Sequence, residues 1–272
     1  MELVIFGHIL GDFYIQTDKI ADKKKKSAWY MLLHCFFYMI VMYIVLLVLT
    51  GDFIQSLMIA VIIGLSHICV DIIKVKVDLK TPKYEYVVFL LDQAIHIVFL
   101  ILICFLFKIQ FNVDRYSSLQ LMDNISFHKM ITILIAGLIC SKPTALFISL
   151  VFKAIPKTVE DADREEQECD KEEQEDFKKT NKGKNAKNIN EKNVEYEEII
   201  KIGSWIGILE REIILLLGLL GQYGAIGFVL AAKSLARYKQ LEKKAFAEKY
   251  LVGTLLSTLI AIACLAIYSL VK

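Results

Sequence analysis

The chain has 272 residues, of which 56% are hydrophobic and 23% charged, with Lys plus Arg 32 against Asp plus Glu 30 and only three prolines. Its mean hydropathy of +0.50 is too high for an ordinary soluble domain. The same composition excludes fibrous, collagen-like and wholly disordered proteins. The six cysteines form no CxxC pair, so neither a disulfide framework nor a zinc ribbon is indicated, and an all-α, polytopic helical membrane protein is predicted.

Apolar runs recur along the chain, and a helix that spans a bilayer needs about 20 such residues. Five runs come first, near 2–18, 28–50, 53–74, 85–108 and 129–152. The next run, 199–232, is too long for one span, and its four glycines between 218 and 227 predict a turn, while a final run covers 249–271. We therefore expect seven to eight transmembrane helices, the first of them a retained helix and not a signal peptide.

A charged segment interrupts these runs. Residues 158–201 hold 15 of the 30 acids and 9 of the 32 bases, with almost no large apolar side chain. Such a segment cannot bury enough surface to offset its ordering entropy. We expect an N-terminal five-helix membrane unit at 1–157 and a C-terminal membrane unit at 199–272. Between them we expect a charged cytoplasmic linker at 158–198, disordered or partly helical, that acts as a tether or binds a cytoplasmic protein partner.

Basic residues predict the orientation in the cell membrane, because short cytoplasmic loops collect Lys and Arg. If the spans alternate, three basic stretches fall on one side, namely 23–26, 74–83 and 233–244. The intervening loops are poor in bases. This predicts a multi-pass protein with its N-terminus outside and the linker inside the cell.

The first four predicted spans carry a repeated pairing of His and Asp. Three of the acids in these spans have a histidine four residues away, which places both side chains on one face of a helix. The pairs are His8 with Asp12, His67 with Asp71, and Asp92 with His96, and His34 on the second helix adds a further group. Ionisable residues within a membrane are costly and mark functional sites by default.

The positions of these residues predict one layer near the cytoplasmic ends of four helices. Imidazole nitrogens with carboxylate oxygens suit a divalent metal ion such as Zn, Mn or Fe. The seven residues exceed what one tetrahedral ion needs, so some would orient the ligands or hold a second metal. The alternative is that the pairs are hydrogen-bonded for helix packing, or form a proton relay without metal. His128 lies beside a polar loop and is interpreted as a surface residue.

A second polar cluster lies in the C-terminal run. Glu210 and Arg211 fall mid-span and need partners, for which Lys233, Arg237 and Glu248 are the nearest candidates. One interpretation is that Arg211, Lys233 and Arg237 bind an anionic headgroup or phosphate, because Arg offers a bidentate fork and Lys a point charge. The other is a network of structural ion pairs, with Glu210 and Glu248 as its acids.

Several strings of residues point to a family. GHILGDFYIQTDKIADKKKKSAWYMLLH, SHICVDIIK, LDQAIHIV, AAKSLARYK and AEKYLVGTLLS resemble the bacterial membrane proteins of domain-of-unknown-function family 3307. The resemblance covers both halves of the chain and omits the linker, and it implies no particular activity. The residue types and four-residue spacing are also similar to those of membrane-bound metal-dependent hydrolases, which favours that class.

We therefore predict an integral-membrane metal-dependent hydrolase that acts on an amphiphilic or phosphorylated substrate at the cytoplasmic leaflet. Asp12, Asp71 and Asp92 would be catalytic, and Gln16 and Gln93 would contact substrate or ligands. An ion- or proton-coupled transporter or channel is the first alternative. A non-enzymatic scaffold with a structural metal and a partner-binding linker is the second. Nucleic-acid binding has little support, because the lysine-rich stretches lack interleaved aromatic residues.

Overall fold

The structure, a computed structural model, is predominantly helical in the residues that it describes, and no strand occurs among them. The described residues are 1–16, 20, 23–24, 27–78, 81–109, 127–155 and 185–271, with side chains from 202 onward in the last range. They form two compact units, one of Met1–Ala154 with Ala261–Lys272 and one of Ile155–Ile260.

The first unit contains six α-helices within its described residues. They are α1 (Glu2–Ile9), α2 (Ala28–Thr50), α3 (Phe53–Asp78), α4 (Glu85–Leu106), α5 (Phe127–Cys140) and α6 (Lys142–Ala154). A π-turn (Leu10–Tyr14) continues α1, and a 3₁₀ turn (Pro82–Tyr84) precedes α4. Helix α3 packs between α2 and α4, while α1 packs on α2 and α5.

A two-residue turn makes α2 and α3 an antiparallel pair. Gly51 adopts a left-handed φ of 71° and its N–H donates to Leu47 O, which ends α2. Asp52 Oδ1 then accepts hydrogen bonds from the N–H groups of Ile54 at 2.8 Å and Gln55 at 2.9 Å, which caps the start of α3. The sharp turn sets His34 of α2 and His67 of α3 on facing helices.

The predicted fifth span is broken into α5 and α6. Pro143 lacks an N–H group and cannot donate to Ile139 O, one turn earlier, as a regular helix would require. The Thr144 hydroxyl donates to that carbonyl instead, at 2.6 Å. The break is local, because Phe127–Ala154 as a whole is still long and apolar enough to cross a membrane.

The start of the chain packs closely on α2. A Cβ atom added to Gly11 would lie 2.8 Å from Tyr38 Cδ2, and one added to Gly7 would lie 2.8 Å from Val45 Cγ2. Only glycine allows the backbone to approach this near. Ile15 N–H donates to Leu10 O, the five-residue spacing of a π-turn. These features bring Asp12, within the π-turn, against α2.

The core of the first unit divides into a polar part and an apolar part. Val4, Met42, Leu46, Ile59 and Leu100 are each at most 3% exposed and belong to one apolar cluster. It occupies the end of the bundle where α2 finishes and α3 begins. The opposite side of α2 presents an exposed apolar stripe with helical spacing, as expected for contact with lipid. The stripe consists of Phe36, Ile40, Ile44 and Val48.

Helix α3 runs further than its apolar run suggests. The apolar residues end near 74, whereas the helix continues to Asp78. Lys74 and Lys76 end the apolar run but are good helix formers, so hydropathy marks a membrane boundary and not the end of the helix. Asp71 therefore lies about 10 Å from the end of α3, since each residue rises about 1.5 Å. His67 and Asp71 thus lie inside the helix and do not close its end.

The second unit contains the described part of α7 (Asn185–Leu219), with α8 (Tyr223–Ala236), α9 (Tyr238–Leu241) and the first part of α10 (Lys244–Leu270). The glycine-rich stretch forms the predicted turn between α7 and α8, where Gly221 adopts a φ of 71°. Gln222 N–H donates to Leu217 O at 2.8 Å and so satisfies one carbonyl at the end of α7.

Five helices of the described residues are long and apolar enough to cross a membrane, which agrees with a multi-pass membrane protein. They are Ala28–Thr50, Phe53–Asp78, Glu85–Leu106, Phe127–Ala154 and Lys244–Leu270. Together α1 and the π-turn are shorter than a span, and so is α8. Seven to eight spans stay a prediction. Residues 158–184 of the predicted linker lie outside the described residues, and 185–198 form the first part of α7.

Candidate metal centre

Three helices of the bundle, together with α1 and its π-turn, bring all seven predicted ligands together. We call this set the His/Asp cluster. It consists of His8 from α1, Asp12 from the π-turn, His34 from α2, His67 and Asp71 from α3, and Asp92 and His96 from α4. Each of these residues is at most 5% exposed. Groups of this kind, removed from water, require close polar partners or a metal.

The first group of three ligand atoms comes from Asp12, His34 and His67. His34 Nε2 lies 3.1 Å from His67 Nε2 and 3.3 Å from Asp12 Oδ1, and His67 Nε2 lies 3.8 Å from that same oxygen. Ligands at about 2.0–2.1 Å from a tetrahedral metal are about 3.3–3.4 Å apart. The three observed distances, 3.1, 3.3 and 3.8 Å, bracket this ligand-to-ligand distance, so the group fits a divalent metal.

The second group comes from Asp71, Asp92 and His96. His96 Nε2 lies 3.4 Å from Asp92 Oδ1 and 3.7 Å from Asp71 Oδ1. Among the described residues, neither His96 Nε2 nor Asp92 Oδ1 has a hydrogen-bond partner with acceptable geometry. A buried nitrogen and a buried carboxylate oxygen left in this way fit a metal ligand set better than a finished hydrogen-bond network.

Asp71 contacts both groups through different oxygens. Its Oδ2 lies 3.5 Å from His34 Nε2 and 3.8 Å from His67 Nε2, whereas its Oδ1 faces His96. A third combination of ligand atoms joins Asp71 and His67 to Cys35. The sequence pattern did not indicate Cys35, because a lone cysteine in an apolar run is typically a core residue.

His8 supports the ligands and is not a member of any of the three-residue groups found among the described residues. Its Nδ1 lies 3.0 Å from Tyr38 Oη and its Nε2 lies 3.3 Å from Gln93 Oε1. The Gln93 amide donates to Asp12 Oδ2 at 3.0 Å and to Asp92 Oδ2 at 3.1 Å, so one side chain links both groups. The Gln16 amide donates to the backbone carbonyl of Asp12.

Two lysines at the edge of the cluster were not predicted as site residues. Lys74 Nζ lies 2.6 Å from Asp92 Oδ2, and Lys24 Nζ lies 3.4 Å from Asp71 Oδ2. Their side chains are 19% and 14% exposed, so both connect the buried acids to the surface of the unit. Lys74 follows Asp71 by three residues on one helical face, and this spacing was a usable signal.

Tyr38 was also not predicted as a site residue. Its ring is 1% exposed and stacks on the His67 imidazole, with ring centroids 3.9 Å apart and planes inclined by 9°. It follows His34 by four residues, again on one helical face. Stacking restricts the rotation of the His67 ring, which keeps both of its nitrogens directed at other members of the cluster.

The second polar cluster forms within the second unit, and we call it the C-terminal cluster (Glu210, Arg211, Lys233 and Ser257). Lys233 donates to Glu210 Oε2, and Arg211 Nη1 donates to Ser257 Oγ at 3.2 Å. Glu210 is 7% exposed and Arg211 is 2% exposed. Of the other two predicted residues, Arg237 is half-buried just after the end of α8, and Glu248 is exposed. His128 is exposed and lies 2.7 Å from Glu2.

One family matches the chain, over residues 1–141, and it is described as "Protein of unknown function (DUF3307)". The match confirms the family resemblance in the N-terminal half and contains every residue of the His/Asp cluster. The C-terminal strings AAKSLARYK and AEKYLVGTLLS lie outside the matched residues. The chain matches no curated protein and no solved structure.

Proposed function

The chain belongs to the DUF3307 family, and from that premise we propose that it is an integral-membrane metal-dependent hydrolase that acts on an amphiphilic or phosphorylated substrate at the cytoplasmic leaflet. One observation carries the proposal: four histidines and three aspartates from separate elements converge in a buried cluster within apolar helices. Placing seven such groups in a membrane costs free energy, and residues that carry this cost mark a functional site by default.

The ligand set favours a transition metal over a purely protein network. A mixture of imidazole nitrogens and carboxylate oxygens suits Zn, Mn or Fe, whereas Mg and Ca prefer oxygen ligands alone. The separations in the first group and the unpartnered atoms of the second group support the same assignment. A hydrogen-bond network built only for packing would leave fewer buried polar atoms unsatisfied.

The carboxylates supply the proton chemistry that hydrolysis needs. Hydrolysis joins a water oxygen to the phosphorus or acyl carbon of the substrate, breaks the ester bond, and moves one proton from the water to the leaving oxygen. A divalent metal held by the cluster would supply acidification of a water molecule and polarisation of the substrate. Asp12, Asp71 and Asp92 are the candidate proton carriers, and Gln93 holds Asp12 and Asp92 in place through its amide.

Cationic side chains supply charge complementarity toward a phosphorylated substrate. Lys24 and Lys74 each bind an acid of the cluster and are partly exposed, so they can contact an anion at the edge of the cluster. In the second unit we propose Arg211, Lys233 and Arg237 as contacts for an anionic headgroup. Glu210 holds Lys233 there, so a purely structural role of that pair is the alternative.

The apolar half of the bundle favours a hydrolase over a transporter or channel. A relay across the bilayer needs polar groups at successive depths. Beyond the His/Asp cluster, however, the described core is filled by side chains such as Met42, Leu46 and Ile63, each at most 1% exposed. Polar groups concentrated at one depth suit chemistry at one leaflet. The lysines at the edge favour substrate access over a purely structural metal.

Elemental analysis of the protein, purified in detergent without chelators, tests the proposal. We expect at least one equivalent of a transition metal in the wild type and none in the His67→Ala, Asp71→Ala double variant. The matched control is His128→Ala, because that histidine is exposed and lies outside the cluster. Hydrolysis of chromogenic phosphate and carboxylic esters should follow the metal content. A wild-type protein without metal, or a fully active double variant, would contradict the proposal.

A further inference from the structure

We propose that the His/Asp cluster holds two metal ions bridged by the carboxylate of Asp71, and that this two-metal centre takes a phosphate ester as its substrate. The inference rests on the proposed metal-dependent function and specifies its metal number and substrate class. It begins from the two ligand groups, which are complete sets of three and differ in composition.

Asp71 is placed to bind both ions. Its Oδ2 lies 3.5 Å from His34 Nε2 in the first group, and its Oδ1 lies 3.7 Å from His96 Nε2 in the second. A carboxylate that presents one oxygen to each of two ligand sets is the arrangement that bridges ions about 3.5–4 Å apart. Each ion then has one Asp71 oxygen together with its own His and Asp ligands.

The second group behaves as a separate ligand set and not as support for the first. His96 Nε2 and Asp92 Oδ1 face each other at 3.4 Å with side chains 4% and 2% exposed, and among the described residues neither atom has a partner of acceptable hydrogen-bond geometry. Lys74 and Gln93 bind the other oxygen, Oδ2. Asp92 is therefore held through one oxygen while the other is directed toward His96. A residue that only oriented the first group would not need its second oxygen directed at His96.

The charge balance identifies the substrate class. The cluster contains three carboxylates, and two of them already contact a lysine. Two divalent ions would therefore leave a net positive charge in a buried site, which an anionic phosphate oxygen can balance and a neutral carboxylic ester cannot. Paired metal ions also suit displacement at phosphorus, because they can stabilise both the attacking and the leaving oxygen.

Metal stoichiometry is the first test. We expect two equivalents in the wild-type protein, one in His96→Gln, one in His34→Gln, and two in the matched control His128→Gln. One equivalent in the wild type, unchanged in His96→Gln, would overturn the two-metal assignment. If that protein still hydrolysed an ester, the proposed metal-dependent function would stand, whereas absence of metal would remove both proposals.

A spectroscopic measurement on the wild type avoids dependence on variants that fail to fold. Protein loaded with Mn(II) should show the electron paramagnetic resonance spectrum of an exchange-coupled pair, since a carboxylate bridge holds the ions close. The spectrum of isolated Mn(II) at full loading would contradict the bridge.

Substrate preference tests the substrate class. When both esters carry the same alcohol as leaving group, a phosphate monoester should react at least about tenfold faster than an acetate ester. The reverse preference would contradict the substrate class.

Discussion

Glu210 in the C-terminal cluster accepts a hydrogen bond from a lysine at one carboxylate oxygen, whereas every acid of the His/Asp cluster lies beside at least one imidazole nitrogen. Both clusters place ionisable side chains in apolar helices. In the C-terminal cluster, opposite charges neutralise each other as a pair. In the His/Asp cluster, imidazole nitrogens lie beside the carboxylates in addition to two lysines, which adds atoms that can bind a metal. The comparison teaches that the kind of partner, and not burial alone, distinguishes the ion pair of the C-terminal cluster from the proposed metal site.

The largest expected effect comes from removing a carboxylate of the first ligand group. Asp12→Ala should lower the rate of ester hydrolysis by about a thousandfold or more and reduce the bound metal, because the first group loses its only acid. Stopped assays and elemental analysis measure both. Asp52→Asn is the control, since Asp52 is exposed and caps α3. Metal retention and activity in Asp12→Ala at the control level would place Asp12 with the structural residues.

Breaking the ion pair of the C-terminal cluster should lower the stability of the protein and leave its metal content unchanged. Glu210→Ala leaves Lys233 without its acid and should lower the free energy of unfolding by about 3 kcal/mol, near the low end for a buried pair because the lysine is 21% exposed. Thermal unfolding in detergent measures this, with metal content unchanged. Glu210→Met combined with Lys233→Met should recover most of the loss, since no charge is then left unpaired. If the double variant stayed as unstable as the single one, a role beyond pairing would be indicated.

Removing the link between the two ligand groups should have an intermediate effect. Gln93→Leu deletes the amide that donates to Asp12 and Asp92 but leaves every ligand present. We expect the metal affinity to fall about 10- to 100-fold, as is typical when a group that orients ligands is removed. Competition with a chromogenic chelator measures the affinity. An unchanged affinity would mean that helix packing alone orients the carboxylates.

The smallest effect is expected away from both clusters. Thr144→Val keeps the shape of a buried side chain but removes the hydroxyl that donates to Ile139 O at the break between α5 and α6. The carbonyl loses its partner, so the free energy of unfolding should fall by about 1 kcal/mol. Metal content and hydrolysis should match the wild type. A loss of metal in this variant would show that the α5–α6 break contributes to the centre.

The amino-acid sequence indicated the helices and the shared faces of the His/Asp pairs, because hydropathy and four-residue spacing are local properties of a chain. It did not indicate which oxygen of Asp71 faces which histidine. That depends on how α3 is rotated between α2 and α4, which the packing of the whole bundle determines. The break at Pro143 and the continuation of α3 to Asp78 also departed from the apolar runs, since hydropathy reports membrane exposure and not helix ends.

The contacts of Lys24 and Lys74 with the cluster were also not predictable from the amino-acid sequence. Both lie in basic stretches that were interpreted only as cytoplasmic flanks. Their role at the acids follows from long, flexible stems that reach back into the bundle, a behaviour that residue type permits but that spacing alone does not predict. The predicted residues of the cluster were therefore identified by chemistry and periodicity, and its outer residues only by three-dimensional contact.

The stacking of Tyr38 on His67 gives the protein an internal reporter. A ring lying parallel to an imidazole at a centroid distance of 3.9 Å shifts the magnetic resonance of the protons on that imidazole upfield. Exposed His128 has no such parallel ring, since its contact with Phe127 is edge-on. In a sample labelled only at histidine, His67 should therefore be recognisable by its ring-current shift, and its signal can be followed while metal is added.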